Sequence, residues 1–151
     1  MRQLYFKMLF FVFLLLCVHS AMAQDLWDGT TATAFHGGSG TATDPYQVRT
    51  GAEWMYFVNC VNEGDDFSGK TVKLLNDIDM GGHDFSVKED FAGTIDGAGH
   101  IITMHLCYNG SSSGGHPFGS LSGRIHHLGF VVTLQNQYNG VFYGGIYIVY
   151  Y

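Results

Sequence analysis

The chain has 151 residues, 46% of them hydrophobic and 13% charged, with seven Lys/Arg against thirteen Asp/Glu and a formal net charge of −6. That is one domain's worth of residues. An acidic balance has the wrong sign for a nucleic-acid binder, so that class of partner is set aside.

The first element is a leader. Arg2 and Lys7 make a positive start, Met8 to Val18 is almost purely apolar, and Ala21-Met22-Ala23 is a small-x-small cleavage signal. This pattern predicts a secretory signal peptide over 1–23, cleaved before Gln24, and an exported, extracellular or surface location. The apolar run is shorter than the ~20 residues of a spanning helix, so no membrane span is expected in the mature chain. Cys17 raises lipidation as an alternative, although Leu16 stands where a lipoprotein signal carries a small residue. Losing Arg2 and Lys7 leaves five cations against thirteen acids, a net charge near −8. Cys60 and Cys107 then remain as a candidate disulfide, which would contribute about 4 kcal/mol by closing a long loop. Two free buried thiols are the alternative.

Residues 24–65 read as an N-terminal cap segment. In "LWDGTTATAFHGGSGTATDPYQV", Gly37-Gly38-Ser39-Gly40 and Asp44-Pro45 are turn chemistry, and Tyr46-Gln47-Val48 predicts a short strand. A helix is expected over about 51–63. Thr50 and Glu53 have capping-box spacing, Trp54, Phe57, Val58 and Val61 form one apolar stripe, and Gly64 supplies a left-handed stop.

Residues 66–151 read as repeats. Phe67-x-Gly69, Phe91-x-Gly93 and Phe142-x-Gly144 share one core, Phe118-Gly119 is a shortened copy, and the glycines lie 24, 26 and 25 residues apart. Gly93-x-Ile95-x-Gly97 matches Gly119-x-Leu121-x-Gly123, and Ile101 and Met104 match Ile125 and Leu128. A glycine-punctuated, β-rich period near 25 predicts an all-β solenoid of about three to four coils. Stacking would then place Ile95 over Leu121 and Ile101 over Ile125, with glycines turning the corners. A β-sandwich with coincidental spacing is the competing fold.

The segments "LWDGTTATAF…GGSGTATDPYQV" and "VNEGDDFSGKTVKLLNDIDM", followed by "FAGTIDGAGHIITMHL…PFGSLSGRIHHLGF", resemble secreted bacterial proteins with GLUG-type repeats, over Leu26 to about Phe130. The resemblance implies a right-handed parallel β-helix of the pectate-lyase-like kind, capped at its start by the short helix. It also implies a non-enzymatic stalk or binding surface for adhesion or for display of a glycan or protein ligand. The N-terminal part of a carbohydrate-active lyase or glycosidase is the alternative. Two departures stand out: "HPFGS" replaces the usual "GLFG", and the chain ends at Tyr151 after the uncharged "GIYIVYY". An uncapped end exposes strand edges, so a truncated product is expected, or an end covered by a partner or a second copy.

Chemistry is sparse. Asp77, Asp79 and Asp96 are the best acidic candidates, and Asp77 and Asp79 would share a face if both lay in one strand. Both "NDIDM" and "IDG" suit turns, where Asp bonds local backbone, so no catalytic residue is assigned. His126 and His127 are adjacent and would face opposite ways on a strand; His100 and His105 also differ in parity, and no metal site is expected. His36, His83 and His116 lie in Gly-rich loops. Trp27, Tyr108 and Tyr138 are candidate sugar-stacking aromatics. No cofactor is expected.

Overall fold

The computed structural model describes residues 26–81, 83, 85–108, 117–136 and 142–149, with the side chains of 105–108, 133–136 and 142–149 outside that description. The expected leader, Cys17, His116 and Tyr138 therefore lie outside the described residues. In chain order the elements are β1 (Tyr46–Val48), α1 (Gly51–Asn62), β2 (Thr71–Leu74), β3 (Ile78–Asp79), β4 (Val87–Phe91) and β5 (Thr94–Asp96). They continue with β6 (Ile101–Tyr108), β7 (Phe118–Leu121), β8 (Arg124–His126), β9 (Leu128–Asn136) and β10 (Phe142–Val149).

The α1 helix forms where its local signals lie. The Thr50 hydroxyl accepts from Glu53 N–H at 3.3 Å, and the Glu53 carboxylate accepts from Thr50 N–H at 3.1 Å and Arg49 N–H at 2.6 Å. That reciprocal box satisfies donors that the first turn leaves open. Gly64 closes the far end with φ +105. The stripe Trp54, Phe57, Val58 and Val61 is wholly buried.

The strands form three small sheets with orders β1-β2-β5-β8, β3-β6-β9-β10 and β4-β7. Pairing is parallel between every couple except β9 and β10, which run antiparallel. Buried residues meet like to like across the layers. Val72 pairs with Ile95 and Ile95 with Ile125, while Ile78 pairs with Ile102 and Ile102 with Phe130. Aromatic rings fill the space towards α1. Phe57 lies 5.2 Å from Phe67 and 5.5 Å from Phe91, and Phe91 lies 5.8 Å from Phe118. The phenylalanines of three Phe-Gly repeats thus stand in one row, each worth about 1.5–3 kcal/mol when fully buried.

Two expectations are corrected. The all-β, right-handed parallel β-helix of three to four coils is not what forms. The chain is mixed, with strands in three separate small sheets and a helix whose apolar face is part of the same core. The last strand, β10, folds back on β9 as an antiparallel partner and does not stack as another coil. The register also differs. Ile95 pairs with Ile125, not Leu121; Leu121 pairs with Phe91 and is 47% exposed, and Ile101 pairs with Gly129 and is 39% exposed. Close backbone approach sets this register. A Cβ on Gly123 would lie 2.1 Å from the Gly93 carbonyl oxygen, so Gly123, and not Gly119, sits on Gly93. Equivalent positions recur irregularly: Thr71 to Thr94 is 23 residues, and Thr94 to Arg124 is 30.

Candidate functional site

Carboxylates in this chain mostly hold backbone. Asp28, Asp65, Asp66, Asp79 and Asp96 each accept an N–H two residues on, from Thr30, Phe67, Ser68, Gly81 and Ala98, at 2.8–3.0 Å. These are Asx turns, in which a short acid stands in for a turn carbonyl. Asp90 joins two strands by accepting from Ser120 Oγ at 2.7 Å and Ser122 N–H at 3.1 Å. Its Ser120 bond holds the Asp90 carboxyl below the usual range.

Asp77 and Asp79 do not form a shared carboxylate pair on one strand face. Asp77 precedes β3 and its Oδ1 contacts His100 Nδ1 and Ile101 N–H, both at 3.0 Å, whereas Asp79 turns towards Gly81. Asp96 lies elsewhere, at the end of β5, so the three acids are not one centre.

Among the described residues, the one place where three such donor atoms converge is Asp96, His126 and His127. Parallel pairing of β5 with β8 sets Asp96 directly beside His126. The strand ends there, and His127 takes φ +51, a left-handed turn that swings its ring back. The two Nδ1 atoms lie 2.9 Å apart, and they stand 3.6 and 3.4 Å from Asp96 Oδ1. Adjacent histidines were expected to face opposite ways. That parity holds only while a strand continues, and His127 is past its end. Aligning Gly123 with Gly93 would have placed His126 beside Asp96; the steady period near 25 concealed it.

Backbone fixes the cluster. Gly97 N–H donates to the His126 carbonyl at 2.9 Å and Gly99 N–H to that of His127 at 2.8 Å. A Cβ at Gly97 would meet the His127 carbonyl at 2.4 Å, so only glycine allows this approach. Burial pushes the Asp96 carboxyl up. The Ala98 N–H, His127 and the charges of His126 and Lys73 outweigh it and hold the group below the usual carboxylate range.

Other candidates are accounted for individually. Trp27 is only 8% exposed, donates from Nε1 to the Thr30 carbonyl at 2.6 Å and packs edge-on against His83, so it offers no open sugar platform. The side chains of Tyr108, His105 and Cys107 lie outside the described residues. His36 Nδ1 is 3.4 Å from Glu53 Oε1. Among the described residues Cys60 has no disulfide partner, and burial pushes its pKa up. Among the described residues no helix is long and apolar enough to cross a membrane. Comparison with protein-family models, curated proteins and solved structures finds no match. The GLUG-type resemblance therefore rests on the quoted residues alone.

Proposed function

We propose that the chain is a secreted or surface-exposed module that works by adhesion or by displaying a glycan- or protein-binding face, and not by catalysis. The observation that carries this role is the use of the acids: seven aspartates accept backbone N–H groups and thereby shape turns and strand junctions. An acid committed to a backbone amide is a poor general acid, because protonating it breaks the turn. Among the described residues no charged residue is fully buried, so none is withdrawn from water to the degree typical of tuned catalytic acids. The leader-like first 23 residues and the GLUG-type segments support export and display.

The test has two arms. Expression of the full chain with a C-terminal epitope tag should yield an exported form whose mass begins at Gln24. That form should bind saturably to at least one extracellular glycan or matrix-protein preparation without degrading it. Release of unsaturated uronate or new reducing ends, abolished by Asp77→Ala or Asp96→Ala, would instead identify part of a carbohydrate-active enzyme.

A further inference from the structure

We propose that Asp96, His126 and His127 form a binding site for one borderline divalent transition ion of the Zn²⁺ class. Two imidazoles and a carboxylate are the donor set such ions prefer, softer than the all-oxygen sets of Ca²⁺ or Mg²⁺. The dimensions agree. A circle through the three donor atoms, with sides of 2.9, 3.6 and 3.4 Å, has a radius of about 1.9 Å. Zinc bonds to imidazole nitrogen and carboxylate oxygen measure ~2.0–2.2 Å. An ion seated just off that plane reaches all three without moving any of them far.

Hydrogen bonding alone fits the cluster less well. One Nδ1–H can bridge the 2.9 Å gap between rings. The 3.4 and 3.6 Å contacts with Asp96 are then longer than a good N–H···O bond, which spans ~2.7–3.2 Å. A cation facing both Nδ1 lone pairs and the carboxylate satisfies the three together, with each ring carrying its proton on Nε2. The supporting shell is already in place. Ala98 N–H orients Asp96 Oδ1 at 2.9 Å, leaving that oxygen a second lone pair, and the Gly97 and Gly99 amides hold the two histidine carbonyls. The His127 side chain is 65% exposed, so an ion has a path in, and its remaining coordination positions face water or a donor from a bound partner. The acidic surface favours cations generally.

The full chain, without a polyhistidine tag and stripped with EDTA, is titrated with Zn²⁺ by calorimetry and with Co²⁺ by absorbance. We expect one ion per chain at this site, with visible cobalt bands indicating imidazole ligation. Affinity should fall at least tenfold in His126→Ala and in His127→Gly, and stay unchanged in His100→Ala, which alters a histidine paired with Asp77 outside the cluster. Glycine is chosen at 127 because it accepts the left-handed backbone, so the ligand is lost while the turn is kept. Far-UV circular dichroism checks that each variant is folded. Weakening in either cluster variant that remains folded supports the site. No saturable binding by the parent chain, or undiminished binding in both cluster variants, overturns it.

Discussion

Gly123→Ala tests the observed register most directly. An alanine Cβ there would stand 2.1 Å from Gly93 O, 2.7 Å from Ala92 C and 2.8 Å from Gly93 N, all of them backbone atoms that no rotamer change can move. Restoring ordinary contact requires the neighbouring layers to part by about 1 Å. Three hydrogen bonds cross that junction: Arg124 N–H to Gly93 O at 2.8 Å, and Gly123 and Ser122 N–H to Phe91 O at 2.8 and 3.0 Å. Losing two or three of them at about 1 kcal/mol each, and loosening Phe91, gives an expected destabilisation of about 2–4 kcal/mol. Gly119→Ala is the control. Its Cβ would meet Val87 O at 3.2 Å and Lys88 O at 3.3 Å, a shift of tenths of an ångström. Alanine's smaller unfolded-state entropy offsets part of that, so the change should stay within about 1 kcal/mol. Urea unfolding followed by tryptophan fluorescence suits the measurement, because Trp27 and Trp54 are both buried. The repeat motif of the sequence equates Gly119 with Gly93, so Gly119→Ala proving as damaging as Gly123→Ala would refute the layer pairing described above.

Thr50→Ala should cost about 1 kcal/mol by opening the capping box while Thr50→Ser stays near neutral, read from the same urea curves. Trp54 is fully buried and its Nε1 has no hydrogen-bond partner among the described residues. Trp54→Phe should therefore destabilise by less than Trp54→Ala, at about 3–5 kcal/mol for the alanine, because phenylalanine keeps most of the ring packing and removes the orphaned donor. Asp65 and Lys70 give a pH signature. Burial raises the Asp65 carboxyl, but Lys70 and the Phe67 N–H outweigh it and hold it below its ordinary 3.8, while the Asp65 bond raises Lys70 above 10.5. The depressed acid contributes stability above pH 3.8 that is lost as pH falls through its folded value. The raised base contributes stability below pH 10.5 that is lost as pH rises through its folded value. Both side chains are more than one-third exposed, so the amplitude is small; Asp65→Asn should flatten both edges in melting curves recorded across pH.

What could be read from the sequence was what depends on near neighbours. The α1 helix announces itself because Thr50, Glu53 and the apolar stripe act within three turns. The rings of Phe67, Phe91 and Phe118 do stand together, although the ladders expected from their repeats were of isoleucine and leucine. Register was not legible, because it is set by which glycines let two backbones touch. Gly93 and Gly123 are 30 positions apart, a spacing hidden by the regular recurrence of Phe-x-Gly. Nor could repeats alone show that α1 shares the core with three separate sheets, or that β10 returns antiparallel. The histidine pair failed for a related reason. Alternation assumes extended backbone, and His127 leaves it at φ +51, where the Gly97 and Gly99 amides of the adjacent layer bond the carbonyls of His126 and His127.

That dependence ties the proposed ion to the stability of the sheet it sits on. Asp96 ends β5, His126 ends β8 and His127 directly follows it, and β5 and β8 share a ladder of only three residue pairs. An ion held by both would bind the folded chain and not the unfolded one. At a free concentration 100 times its dissociation constant it should add about 2.7 kcal/mol. Thr50→Ala alters only the cap of α1 and leaves the three donors untouched, so zinc should raise its melting temperature by as much as it raises that of the parent. Gly123→Ala displaces the segment leading into His126, and a shift of about 1 Å is large against a donor triangle with sides of 2.9–3.6 Å. Zinc should therefore protect Gly123→Ala less than it protects Thr50→Ala. Equal protection of the two variants, measured by thermal melts with and without Zn²⁺, would mean that the ion does not bridge β5 and β8.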